Sequence, residues 1–189
     1  IVFKEQEIKE FVASLPFTLT KAQKIAAWEI LRDLNRAIST NRLLSGDVGS
    51  GKTVVAAIAM YNVALNGCQS VLMAPTEILA VQHYQSLCKL LGEKINICLL
   101  THSYSVILKP KAEESLTDEL KGSFTSPLRG FVQDDKKQSN TKQKNQLLTE
   151  IKTGQINIII GTHALLSAGV EFKKLGLVIV DEQHRFGVE

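Results

Sequence analysis

The run Gly46-Asp47-Val48-Gly49-Ser50-Gly51-Lys52-Thr53 fits the pattern G-x-x-x-x-G-K-S/T. It lies between a short apolar pair, Leu43–Leu44, and a helix-like stretch from Val54 to Leu65. That setting is what a phosphate-binding loop needs: a strand to deliver it and a helix N-terminus to receive the anion. Gly46, Gly49 and Gly51 permit positive φ and close backbone approach. The N–H groups of the loop, those of Asp47, Val48 and Ser50 among them, can then converge on phosphate oxygens. Lys52 would reach the β- and γ-phosphates, and the Thr53 hydroxyl would ligate Mg²⁺. An ordinary Gly-rich strand-to-helix turn is the plainer alternative, and it accounts for less of the eight-residue pattern.

Working outward, β and α signals alternate from Asn41 onward. Strand-like runs are Leu43–Leu44, Val71–Ala74, Ile95–Leu100, Ile156–Ile160 and Leu177–Val180. Between them lie helical stretches: Val54–Leu65 closed by Asn66-Gly67, Glu77 to about Leu91 capped by Thr76 and ended by Gly92, and Leu147–Lys152. Continuous apolar strands alternating with helices predict an α/β fold, a mainly parallel sheet covered by helices on both faces. Ligands of such sheets bind outside the carboxyl ends of the strands. The distinctive polar clusters each follow a strand: Pro75-Thr76, Thr162-His163 and Asp181-Glu182.

Upstream, Ile8, Phe11, Val12 and Leu15 are spaced for a short leading helix within residues 1–16, stopped by Pro16. After Phe17-Thr18-Leu19-Thr20 comes an amphipathic segment from Lys21 to about Ile38. Its expected apolar stripe is Ala22, Ile25, Ala26, Ile30, Leu31, Leu34 and Ile38. Thr20 and Gln23 fit a capping box, T-x-x-Q. Gln23 is equally placed to read an adenine edge, and the pattern leaves both roles open. Downstream, the polar stretch from about Ser103 to Gln146 interrupts the alternation and predicts a flexible insert that loops away from the sheet. Its basic tract reads as a solvated loop before it reads as a nucleic-acid contact.

Hydrolysis of a nucleoside triphosphate needs a metal at the γ-phosphate and a water held for in-line attack. Val178-Ile179-Val180-Asp181-Glu182 carries two carboxylates on the end of an apolar strand. Asp181 would hold the metal and Glu182 would polarise the water. His184 would sense the γ-phosphate or is a plain surface histidine.

Composition bounds these readings. At 189 residues the chain is one domain, with a net charge of +3 that permits a nucleic-acid partner without demanding one. Cys68, Cys88 and Cys98 are odd in number and lack metal-site spacing, so they read as buried thiols in a reducing compartment. No run approaches the ~20 apolar residues of a membrane span, and the charged start is not a secretory signal. A cytoplasmic, non-membrane protein is expected. The first residue is Ile rather than Met, which suggests a piece of a longer chain.

The run Asp181-Glu182-Gln183-His184-Arg185-Phe186-Gly187-Val188 resembles the second motif of superfamily-2 DNA helicases of the RecG type. Gly46–Thr53 resembles their first motif, Ala74-Pro75-Thr76-Glu77 with Gln82-His83 their motif Ia, and Gly161-Thr162-His163-Ala164 a further one. The resemblance covers nearly all of residues 15–102 and 147–189. It implies the first RecA-like lobe of a two-lobed, ATP- and Mg²⁺-dependent motor over residues 17–189, a three-layer P-loop NTPase domain. Phe17 and Gln23 would hold adenine, while Lys52, Thr53, Asp181 and Glu182 would run the chemistry. Pro75, Thr76, Gln82, Thr162 and His163 would lie toward DNA, forked or branched. The sequence departs from the family at Thr101-His102, where Thr-Gly is usual, and in the insert that follows. A second RecA-like lobe and a wedge domain would be supplied by the rest of the parent chain. Without an arginine from that second lobe, which can be worth about 10³–10⁵ in rate, the piece alone is expected to hydrolyse ATP poorly and unwind nothing. Two other readings are a lobe of a transcription-repair coupling factor and a truncated, non-catalytic nucleotide- or DNA-binding product. A small-molecule kinase would leave Asp-Glu-Gln-His unexplained.

Overall fold

Five strands form one sheet in the order β3-β2-β4-β1-β5. These are β1 (Gln69–Met73), β2 (Ile97–Leu100), β3 (Ser105–Leu108), β4 (Ile158–Gly161) and β5 (Leu175–Val180). All neighbours are parallel except β3, which runs antiparallel to β2 at one edge. The computed structural model describes residues 1–92, 94–101, 105–108, 137–167 and 169–182, with the backbone alone for 105–108, 137–143, 164 and 167.

Alternation along the strands sorts side chains onto two faces. Leu72, Ile97, Leu99, Ile158 and Ile160 join one core with Val54, Val55 and Ile58 of α3 (Lys52–Leu65) and Ala80, Leu87 and Leu91 of α4 (Glu77–Leu91). Val71, Met73, Cys98, Leu100 and Ile159 join the opposite core with Leu147 and Ile151 of α5 (Lys137–Thr153) and Leu165 of α6 (Ala164–Ser167). This is the expected three-layer, mainly parallel α/β architecture. Only three residues, Asn66 to Cys68, connect α3 to β1. So short a link forces the helix to run antiparallel to the strand, which puts the start of α3 at the carboxyl edge of the sheet.

Two helices, α1 (Glu5–Ala13) and α2 (Lys21–Leu34), pack on α3 rather than on the sheet. Asn62, a polar residue inside the longest apolar run, is fully buried because it straps the N-terminal segment to α3. Its Oδ1 accepts from Lys4 N at 2.9 Å and its Nδ2 donates to Val2 O at 3.3 Å. The apolar stripe expected for α2 holds in part, with Ala26 and Ile30 packed half-buried against the core. Ala27 and Leu31 are buried, while Ile25 faces outward beside Trp28, and Ile38 lies beyond the helix. Packing against one neighbouring helix buries a narrower strip than packing against a sheet.

Arg42 folds the segment after α2 back onto it, pairing with Asp33 at 2.6 Å and Glu29 at 2.7 Å. The Arg42 hydrogen bond holds the Asp33 carboxyl below the ordinary carboxylate range, against the opposing pull of burial. A depressed folded pKa means the contribution is complete above the unfolded value of about 3.9 and is lost as pH falls through the lower folded value. Asp33→Asn should therefore lower the melting temperature near neutrality and flatten its dependence on pH below about 4. Parallel pH–melting curves for the two chains would refute this role.

Three expectations are corrected. Leu43–Leu44 forms no strand: among the described residues it has no hydrogen-bonded neighbour, and Leu43 is 82% exposed. A strand exists through its pairing, and two apolar residues alone cannot supply one. The expectation for Ser103–Gln146 also changes at both ends. Ser105–Leu108 does not leave the sheet but adds β3 to β2, and α5 already begins at Lys137. Residues 103–104 and 109–136 of that stretch lie outside the described residues. One face of β5 departs from the expected double cover as well, since Leu175, Val178 and Val180 are 41–50% exposed.

Candidate functional site

Strand register brings the polar clusters to one edge. Met73 pairs with Gly161 on one side and Val180 on the other, and Leu100 also pairs with Gly161, so four strands end together. The ladder continues one step further, with Ala74 N donating to Gly161 O at 2.8 Å and Asp181 N to Met73 O at 2.9 Å. Thr101, Thr162-His163, Pro75-Thr76 and Asp181-Glu182 therefore leave the sheet side by side. Gly161 suits this crowding, because a Cβ there would collide with the Leu100 carbonyl oxygen.

At the same edge the glycine loop enters α3. Gly51 is the N-cap residue at φ +83°, and unlike Thr20 on α2 or Thr76 on α4 it offers no side-chain cap. The first N–H groups of α3 are thus not committed to a side-chain oxygen, which suits an anion at the positive end of the helix. Gly49 has φ +80°, and Val48 stands fully exposed at the loop's tip. Asp47 O accepts from Ser50 N at 3.1 Å and shapes the turn. Lys52 folds back over the loop, its Nζ donating to Gly46 O at 2.7 Å and Asp47 O at 2.9 Å. An ammonium with three donors held above the loop is placed to exchange those carbonyls for phosphate oxygens. Thr53 follows, half-buried in the first turn.

Gln23 does two things at once. Thr20 Oγ1 accepts from Gln23 N at 3.2 Å while Gln23 Oε1 accepts from Thr20 N at 2.9 Å, a complete capping box. Its Nε2 then donates to Ser50 O at 2.9 Å, inside the glycine loop. A Cβ on Gly51 would collide with this amide, so Gly51 serves both the backbone turn and the approach of Gln23. Phe17 is 47% exposed and lines an open hollow of about 350 Å³ with Val12, Leu15, Leu19 and Lys24. None of the loop residues 46–53 lines that hollow.

Asp181 and Glu182 close the edge at the end of β5, which packs against α3. Asp181 Oδ2 lies 2.7 Å from His83 Nε2, leaving Oδ1 without a hydrogen-bond partner among the described residues. Glu182 is half-buried at φ +49°, a left-handed conformation costing an L residue about 1–3 kcal/mol, of the kind that gathers at functional sites. Gln82 and His163 are exposed, and Pro75 and Thr162 half-buried. The Thr76 hydroxyl caps α4 by accepting from Leu79 N at 3.3 Å. His184 lies outside the described residues. Sequence reasoning missed the His83–Asp181 contact and the Gln23–Ser50 bond. Neither has a local signal, since the partners are 98 and 27 residues apart.

A mainly parallel sheet with a lysine-bearing glycine loop and an acidic pair at its carboxyl edge defines a RecA-like P-loop domain. The profile of the DEAD/DEAH box helicases matches residues 20–189, and the chain belongs to that family. It is 46% identical over 182 residues to the ATP-dependent DNA helicase RecG of Staphylococcus epidermidis (strain ATCC 12228 / FDA PCI 1200), covering 96% of this chain and 22% of that protein. The RecG of Staphylococcus aureus (strain N315) is likewise 46% identical, with 96% and 21% covered. A solved structure of RecG bound to a three-way DNA junction matches with a TM-score of 0.72 and 38% identity, over 99% of this chain and 21% of that one. The chain thus spans about a fifth of the length of these relatives. Among the described residues no helix is long and apolar enough to cross a membrane.

Proposed function

We propose that the chain is the ATP-binding lobe of an ATP-dependent DNA helicase of the RecG kind, coupling hydrolysis to the remodelling of forks and Holliday junctions in the cytoplasm. The observation that carries this reading is the shared edge. The register of β2, β4, β1 and β5 gathers Asp181-Glu182, Pro75-Thr76 and Thr162-His163 at the edge where α3 begins. The RecG relatives and the junction-bound RecG structure support the nature of the nucleic acid.

In this reading the loop amides of residues 46–51 and the Lys52 ammonium bind the triphosphate, with Phe17 and Gln23 at the adenine. The two bonds Gln23 now makes use one of its two N–H donors and one of its two acceptor lone pairs, so one of each remains for the base. Thr53 and Asp181 suit a divalent ion that is also held by substrate phosphates, the usual manner of Mg²⁺. When bound, that ion neutralises charge building up on the transferring phosphoryl group. Glu182 takes the proton side of the attacking water. Pro75, Thr76, Gln82, Thr162 and His163 face the nucleic acid. Small hydroxyls, one imidazole and strand-end amides suit phosphates rather than base edges, so they position DNA without reading its sequence. The second RecA-like lobe and a wedge domain come from the remainder of the parent protein.

The test is ATP turnover of the full-length parent with forked and with linear DNA. Forked DNA should stimulate more strongly, and turnover indifferent to any DNA would end the motor reading. Glu182→Gln should bind ATP with near wild-type affinity yet turn it over at least about 10²-fold more slowly. Loss of binding in that variant would make Glu182 a structural residue.

A further inference from the structure

Helix α4 and the end of β5 are joined by a short polar contact that the chemistry above does not use. His83 sits in the second turn of α4 and places Nε2 2.7 Å from Asp181 Oδ2, with the two side chains 18% and 30% exposed. An ionised carboxylate has no proton to give, so the imidazole N–H donates. Holding Oδ2 also fixes where Oδ1 points. A nitrogen donor behind a metal-binding carboxylate is an outer-shell partner, and such partners set the orientation of the ligand they touch.

The same helix starts at the DNA-facing segment. Thr76 is its N-cap, and His83 lies seven residues further on, about 10 Å along a rigid helix. A shift of the helix start is therefore carried to the imidazole almost undiminished. The bond at 2.7 Å tolerates only a few tenths of an ångström before it weakens.

We propose that His83 is a positioning residue that orients Asp181 for the Mg²⁺–nucleotide complex and makes α4 the element through which DNA engagement at Pro75-Thr76 reaches the ATP cleft. This rests on the reading of Asp181 as the metal-holding carboxylate of a DNA motor. The contact joins the two functions of the sheet edge through one pair of side chains.

The experiment uses the full-length parent with His83→Ala and His83→Gln, the latter offering an N–H at similar reach. Three quantities are measured: the Mg²⁺ concentration for half-maximal binding of a fluorescent ATP analogue, the fold stimulation of turnover by forked DNA, and the melting temperature. His83→Ala should need about 10–100-fold more Mg²⁺ and lose most of the stimulation at an unchanged melting temperature. His83→Gln should recover the Mg²⁺ requirement. A wild-type Mg²⁺ midpoint in His83→Ala overturns the proposal, as does a loss that follows a lowered melting temperature in both variants. A shifted midpoint with full DNA stimulation overturns the coupling through α4. If the unaltered parent is not stimulated by any DNA, the motor reading fails instead, and the Mg²⁺ midpoint still decides the positioning of Asp181.

Discussion

Lys52→Ala in the full-length parent is expected to cut DNA-stimulated ATP turnover by about 10²–10³-fold, the loss typical of removing one preorganised donor at a charged transition state. The expectation follows from what the ammonium touches. Its donors rest on the carbonyls of Gly46 and Asp47, two exposed positions in the loop. Water can take over both carbonyls in the variant, so the folded state should lose well under ~1 kcal/mol from these bonds. The phosphate side has no such replacement, because a triphosphate cradled against α3 depends on a fixed cation rather than a mobile solvent shell. Lys52→Arg should be nearly as damaging, since a bulky planar guanidinium cannot sit where the two carbonyls hold a compact ammonium. Turnover and melting temperature are measured together. Near-normal turnover in Lys52→Ala would remove Lys52 from the chemistry, and a parallel fall in melting temperature would make the effect one of folding.

Much of this site was legible because its chemistry is local in sequence. The glycine loop, the cap at Thr76, the stop at Gly92 and the acidic pair after Leu177–Val180 each need only neighbouring residues to be recognised, and each stands where expected. Convergence on one edge followed from strand–helix alternation alone. What escaped depends on pairing across distance. Strand β3 is four residues within a polar stretch, and its identity comes from lying against Ile97–Leu100. The first turns of α5 carry no apolar period. Its buried anchors, Leu147 and Ile151, sit in its second half. Leu43–Leu44 failed for the opposite reason: an apolar pair looks like a strand, yet among the described residues no partner adjoins it. Gln23 shows a third kind of gap. The capping box is local, but the same amide also reaches Ser50 O in the glycine loop, a bond across 27 residues that no local pattern carries.

Gln69→Leu should destabilise the 189-residue chain by roughly 1–3 kcal/mol, a sizeable share of the ~5–15 kcal/mol that holds an ordinary domain together. Gln69 begins β1 at the edge opposite the glycine loop and is 2% exposed. Its amide is used from both ends. Nε2 donates to Ile151 O and Ile156 O, each at 2.9 Å, while Oε1 accepts from Lys173 N at 2.8 Å and Lys174 N at 3.3 Å. One side chain thereby ties the end of α5, the approach to β4 and the approach to β5 to the first residue of β1. Leucine would fill a similar volume and bring some apolar burial, worth at most about 1.5–3 kcal/mol. Against that, Ile151 O keeps the Gly154 N–H at 3.0 Å, but Ile156 O, Lys173 N and Lys174 N lose the partner shown here. Ile156 is buried, so its stranded carbonyl carries the full cost of about 1–3 kcal/mol, while the part-buried Lys173 and Lys174 amides carry less, and the balance is unfavourable. Gln69→Glu keeps the acceptor side but turns a carboxylate toward two carbonyl oxygens, and it should be at least as damaging. With a shift of about 2–4 °C per kcal/mol for a chain of this size, thermal melting resolves the difference easily. A Gln69→Leu chain melting within a degree of the unaltered one would mean that the four bonds contribute nothing net, and that β4 and β5 are held in register by the sheet ladder alone.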